Sequence, residues 1–127
     1  MAATRPLRKD GASMLPEPTT IEDFLGVDIR VGRVVNAEEF PRARKPAYRL
    51  WIDFGELGVR KSSAQITDLY RVEDLKDRLV LAVVNLPPRQ VADFLSEVLV
   101  LGVPAEDAAG VVLVGPDKEV SPGLRLL

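Results

Sequence analysis

In the segment AYRLWIDF, residues 47–54, Tyr48, Leu50, Ile52 and Phe54 alternate with Arg49, Trp51 and Asp53. Successive side chains of a strand point to opposite faces, so this alternation predicts a β-strand with one buried and one outward face. One strand cannot cover such a face alone, and the chain must build a sheet around it. Upstream, Val27, Ile29 and Val31 share a face opposite Asp28, Arg30 and Gly32, and the parity then changes because Val34 is apolar where Arg33 is not. A parity change at a glycine predicts a bulge at Gly32 that bends the first strand. The polar run VRKSSAQI (59–66) predicts a third strand, residues 79–85 a buried fourth, 97–103 a fifth and 111–114 a short sixth.

Two helical signals interrupt the strands. Thr20 stands as N-cap before IEDFLG, with Glu22 and Asp23 in the first turn, which predicts one helical turn ending at Gly26. Leu69, Val72 and Leu75 recur at helical spacing and predict a helix over 67–78, capped by Thr67 or Asp68. PPRQVADFLS reads as an irregular connection, and SPG as a final turn before LRLL. Five principal strands, a bent first strand and one helix between strands three and four predict an all-β chain with one short helix. The expected architecture is an OB-fold five-stranded Greek-key barrel with an N-terminal helical turn and C-terminal extension strands.

A chain of 127 residues has room for one domain. Residues 1–20 hold three prolines and no apolar period, so they are expected to form a flexible N-terminal extension to a domain spanning 21–127. They lack the apolar stretch of a secretory signal, and no run approaches the roughly 18 apolar residues of a membrane helix. A cytoplasmic protein without membrane insertion is therefore expected. The sequence contains neither Cys nor His. That removes thiolate and imidazole metal ligands, cysteine nucleophiles and the commonest acid/base group near neutral pH, so an enzyme is not expected. Nor does any Gly-rich phosphate loop, metal-ligand cluster or usefully spaced carboxylate pair stand out, and no metal or cofactor is expected.

Three segments carry candidate binding residues. FPRARKPAYRL concentrates Arg42, Arg44, Lys45 and Arg49 in a chain with 19 acids against 17 bases. The first three fall in the loop between strands one and two and Arg49 on the outward face of strand two, which in an OB-fold is the oligonucleotide-binding side. Arg60 and Lys61 extend the charge, and Tyr48 or Trp51 offers a stacking platform. In SSAQIT, Ser62 and Ala64 share one strand face and Ser63 and Gln65 the other; without His or a Gly-x-Ser-x-Gly turn the serines suit hydrogen bonding rather than nucleophilic attack. In NLPPRQVADFLSE, two prolines stiffen a segment that ends in Arg89, Gln90, Phe94 and the Ser96–Glu97 pair. The same residues also suit a solvated loop, an exposed barrel face and a stiff connection.

VDIRVGRVVNAEEFPRARKPAYRLWIDFG, KSSAQIT, VVNLPPRQVADFLSEVLVLG and SPGLRL together resemble the tRNA-binding domain family, the OB-fold modules appended to some methionyl-tRNA synthetases. The resemblance covers residues 21–127. The appended modules usually read His-Pro-x-Ala-Asp-x-Leu and Ser-Glu-Gly-Met, where this chain has FPRARKPAY and SEVL; it shares those departures with the free-standing, export-related chaperone branch of the CsaA type. That resemblance implies a homodimer joined through the barrel periphery and termini, with ATP-independent holding of unfolded or preprotein polypeptides. The alternative it implies is a tRNA- or RNA-binding module using the same basic surface. Carried onto this sequence, Arg42, Arg44, Lys45 and Arg49 would supply positive potential, extended by Arg60 and Lys61. Ser62, Ser63 and Gln65 would make polar contacts, and Arg89, Gln90 and Phe94 would close the site from the other side. Ser96 and Glu97 would fix the loop, and Tyr48 and Phe94 would touch an apolar side chain or stack on a base.

Overall fold

A computed structural model of the chain describes residues 15–106 and 110–127; most of the expected N-terminal extension and the centre of the AEDAAG turn lie outside the described residues. In chain order the elements are α1 (Ile21–Leu25), β1 (Ile29–Glu39), β2 (Tyr48–Asp53), a 3₁₀ turn (Gly55–Leu57), β3 (Val59–Ala64) and α2 (Val72–Leu75). They continue through β4 (Leu79–Val83), β5 (Arg89–Val91), β6 (Phe94–Ser96), β7 (Leu99–Val100), β8 (Gly102–Pro104) and β9 (Val111–Leu113). The main sheet runs β3-β2-β1-β4-β7, a nearly closed five-stranded barrel of OB type.

β1 serves both halves of that barrel. Its N-terminal half pairs with β4, from Ile29↔Val83 to Arg33↔Leu79, and its C-terminal half with β2, from Arg33↔Asp53 to Glu39↔Tyr48. Gly32 does not carry the expected bulge, since it pairs regularly with Val80. The register instead slips between Val34 and Asn36, leaving Val35 unpaired with β2 and outward. The slip lets both Val34 and Ala37, three positions apart, face the core, which an unbroken period of two forbids. Gly32 has a different task. A Cβ there would lie 2.4 Å from Ile52 Cγ2 and 2.6 Å from Phe54 Cε1, so the missing side chain is the space those two occupy.

The interior is filled by Val34, Leu50, Ile52, Phe54, Val80 and Ala82, with Leu75 of α2 as a fully buried plug. α2 is far shorter than the 67–78 expected. Tyr70 is held out of the helix by two tertiary bonds: its carbonyl accepts from the Tyr48 hydroxyl at 2.7 Å and its hydroxyl from the Leu113 amide at 2.9 Å. The helix can start only after it, where the Arg71 amide donates to the Asp74 carboxylate at 3.0 Å. α1 forms as expected, with the Asp23 amide donating to the Thr20 hydroxyl at 3.1 Å.

Beyond β4 the structure is more ordered than the sequence suggests. The expected irregular connection is a hairpin, β5 against β6, joined by Ala92 and Asp93; Ala92 takes φ 51°. A two-residue turn with positive φ at its first position only is of the II′ kind, usually marked by glycine. The expected fifth strand is divided: β7 pairs with β4, and β8 leaves to pair with β9.

The barrel closes without a ladder between β3 and β7. Instead the Ser63 amide donates to the Ser96 hydroxyl at 2.9 Å, the Lys61 amide to the Glu97 carboxylate at 3.0 Å, and the Glu97 amide to the Lys61 carbonyl at 2.8 Å. At the opposite end, residues 123–126 cover the edge of β1 that β2 leaves open. The Val31 amide donates to the Leu124 carbonyl at 2.9 Å and the Leu126 amide to the Ile29 carbonyl at 2.8 Å. Asp28 joins this strap, accepting from Arg30 at 2.7 Å beside Arg125 at 3.5 Å. The Arg30 hydrogen bond, helped by the two positive charges, holds its carboxyl below the usual range. Gly32→Ala is expected to lower stability by about 1–3 kcal/mol through overpacking, read as a lower urea midpoint with an unchanged m-value.

Candidate binding groove

The loop between β1 and β2, the end of β3, and the β5–β6 hairpin enclose an open groove of about 1160 Å³. One rim is Arg44 and Lys45; the other is Arg89 and Gln90 of β5. Ala47, Ala64, Ile66 and Val98 give the floor its apolar character, and Leu86, Leu99 and Val100 line the far side. Ser63 and Gln65 lie along the groove, while Ser96 and Glu97 in its wall are committed to the barrel seam.

The expected cations separate into two sets. Arg42 reaches across to the hairpin turn and pairs with Asp93 at 3.2 Å. Arg49 pairs with Glu38 at 3.2 Å and lies over the Phe40 ring, 5.3 Å from its centroid, with its Nε buried and unbonded. Arg60 and Lys61, expected on one surface, point to opposite faces because they are strand neighbours. Arg60 sits at the barrel end, donating to the Leu57 carbonyl at 3.1 Å and lying 4.0 Å from Glu97, whereas the Lys61 ammonium lies over the Phe94 ring at 5.2 Å. Arg44, Lys45 and Arg89 are exposed and, among the described residues, have no carboxylate within ion-pair distance. The free positive charge of the region is therefore theirs.

Three expected contact residues are not available at the surface. Ser62 faces the interior opposite Leu50 and is fully buried. Tyr48 is a core residue whose hydroxyl is bonded to Tyr70, and burial raises its pKa above the ordinary phenol value. Phe94, which looks exposed in sequence, is 7% accessible. It meets Phe40 edge-on at 5.5 Å and Trp51 at 5.7 Å in a small second core with Ala47. That cluster staples the hairpin over the outer face of β2 and β3, the face on which OB-folds usually lay bases. Trp51 is half-buried beneath it, and none of the seven aromatic residues is exposed.

Sequence reasoning also missed the groove's apolar lining. The signal lies in the Val98–Val100 run and in Leu86 before the prolines, but an apolar run over 97–103 reads equally as a strand of the sheet. Tyr48→Phe is expected to cost about 1 kcal/mol of stability, the worth of one buried hydrogen bond, while leaving the groove's affinity for any ligand unchanged in a binding titration.

The profile of the putative tRNA binding domain family matches residues 29–125. Among curated proteins, the chain is 38% identical over 112 residues to methionine–tRNA ligase of Nitrosomonas europaea and 41% identical over 116 residues to that of Porphyromonas gingivalis. These matches cover 88% and 91% of this chain but only 16% of each ligase. Among solved structures, the chaperone CsaA of Bacillus anthracis is 52% identical with a TM-score of 0.81, the match covering 87% of this chain and 100% of that one. The CsaA chaperone protein of Picrophilus torridus is 46% identical with a TM-score of 0.80, over 87% and 100% of the two chains. A MetRS-related protein of Pyrococcus horikoshii is 28% identical with a TM-score of 0.77, over 88% and 100%.

Proposed function

The chain belongs to the tRNA-binding domain family, and on that premise we propose that it is an ATP-independent holding chaperone of the CsaA type, binding unfolded or export-bound polypeptide in the groove. The observation that carries this reading is the groove's composition: an apolar floor beneath three cations that have no carboxylate partner among the described residues. Such a surface accepts aliphatic side chains and carboxylates together. Single-stranded RNA would instead need bases stacked on open aromatic rings, and here those rings are packed under the hairpin or in the barrel. Phosphate contacts by Arg44, Lys45 and Arg89 keep tRNA binding as the second reading. The proposal assigns no catalysis and no cofactor, in keeping with a sequence free of Cys and His. It places the protein in the cytoplasm, where unfolded and preprotein chains arise; among the described residues no helix is long and apolar enough to cross a membrane.

The reading includes a homodimer. Ile21 and Leu25 on α1 are 69% and 50% accessible, and Leu124 on the adjoining strap 53%. The Arg125 guanidinium donates to the Leu25 carbonyl, so helix and strap form one surface. A second copy of the chain would cover that apolar strip.

Two measurements test these statements. Wild-type protein is expected to suppress aggregation of a chemically unfolded client without ATP. The variant carrying Arg44→Glu, Lys45→Glu and Arg89→Glu is expected to bind that client about tenfold more weakly or worse. If tRNA binds more tightly than client, with affinity falling by about 0.7 logarithmic units per phosphate per decade of salt, the RNA reading takes its place. Light scattering should give a dimer mass for the wild type and a monomer mass for Leu25→Glu with Leu124→Glu. A dimer that survives the double variant would move the interface elsewhere.

A further inference from the structure

The β5–β6 hairpin is a sheet of two strands, and β5 has one edge that no other strand among the described residues meets. Its register is Arg89↔Ser96, Gln90↔Leu95 and Val91↔Phe94 around a two-residue turn. In such a hairpin the pair next to the turn exchanges hydrogen bonds, as does every second pair beyond it. Arg89 and Val91 are therefore bonded to β6, and Gln90 turns its amide and carbonyl to the other side. Among the described residues no backbone group pairs with either. Pro88, two positions back, offers a carbonyl on the same edge and no amide. The Gln90 side chain is folded along its own strand, donating to the Ala92 carbonyl at 3.0 Å, and does not cover the edge.

An unpaired strand edge is a template for another strand. This one is unusual in its surroundings, because β5 lines the groove together with the apolar Ala64, Ile66 and Val98. The charge around it has one sign. Arg44 and Lys45 stand on the opposite rim and Arg89 on the edge itself, all without carboxylate partners among the described residues. Glu97 is the one carboxylate among the groove residues, and it is already occupied by the Lys61 amide and lies near Arg60.

We propose that the groove takes an extended acidic–aliphatic polypeptide segment as an added strand on the free edge of β5. Resting on the polypeptide reading above, it names the segment's chemistry and its mode of binding. Side chains of an added strand alternate between two directions. One set reaches Ala64, Ile66 and Val98 and is aliphatic; the other reaches Arg44, Lys45 and Arg89 and carries carboxylates. The Gln90 amide and carbonyl, with the Pro88 carbonyl, hold the backbone irrespective of sequence. A segment of alternating Val and Glu meets all three requirements, and one of Val and Lys fails the second.

The test uses the full chain and four labelled nonapeptides followed by fluorescence anisotropy: alternating Val–Glu, alternating Val–Lys, and two Val–Glu forms N-methylated at every second residue, one in each register. The Val–Glu peptide is expected to bind, with the Val–Lys peptide at least about tenfold weaker and one N-methylated form weaker by a similar factor. Gln90→Pro removes the edge amide without touching the β5–β6 bonds, a substitution that edge strands tolerate. It should weaken the Val–Glu peptide while keeping the wild-type melting temperature. If Gln90→Pro unfolds the hairpin, the N-methylated peptides on wild-type protein still decide the matter. Equal binding of both N-methylated forms and the parent overturns strand addition, and equal binding of Val–Lys overturns the acidic preference. Failure of all four peptides while aggregation of an unfolded client is still suppressed overturns this inference and leaves the chaperone reading standing. Failure of both, with tRNA bound, overturns the two together.

Discussion

Two adjacent side chains complete the barrel. β3 ends the sheet on one side, and its outward amides at Lys61 and Ser63 would be open if Glu97 and Ser96 did not accept from them. A buried or half-buried amide without a partner costs about 1–3 kcal/mol, so this seam is where the fold would come apart first. It also fixes the groove. The hairpin that leads into Ser96 is held against β3 by the same bonds, and from there Val98 turns inward to the core. A short polar pair thus connects core, closure and binding wall.

The groove's chemistry follows from which charges the fold neutralises. Arg42 is joined to Asp93, Arg49 to Glu38 and Arg60 approaches Glu97, whereas Arg44, Lys45 and Arg89 have no carboxylate partner among the described residues. Exposed pairs of this sort contribute little to stability, typically 0–1 kcal/mol by order of magnitude, about the thermal energy. Their effect here is on the charge pattern, because they leave a compact positive rim in place of a broad basic face. The aromatic residues are sorted in the same way. Phe40, Trp51 and Phe94 face what would be a base-stacking surface and spend it on each other.

Strands with one buried face were legible from sequence: residues 47–54 and 79–85 alternate or run apolar because the interior demands it, and β2 and β4 lie there. The bulge was misplaced because Gly32 advertises a break in parity, while the real one at Val35 shows only as the three-residue spacing of Val34 and Ala37. The 67–78 helix failed because Tyr70's two hydrogen bonds are to residues distant in sequence. The hairpin was hidden by two prolines before it and by a turn of Ala-Asp where glycine is usual. At the site, the basic loop was legible as a location, but not the division among its cations, since Arg42 meets Asp93 from 51 positions away. Burial of Tyr48, Ser62 and Phe94 depends likewise on elements that sequence spacing does not bring together.

The strap of residues 123–126 gives the molecule an order of completion. β2 and β3 follow β1 by short connections, so those three strands can pair as soon as they emerge from the ribosome. The Val31 amide and Ile29 carbonyl cannot be satisfied until Leu124 and Leu126 have been translated. Until then the nascent barrel carries a bare strand edge beside an apolar helix. The first strand of the sheet thus waits on residues far downstream for its final backbone partners.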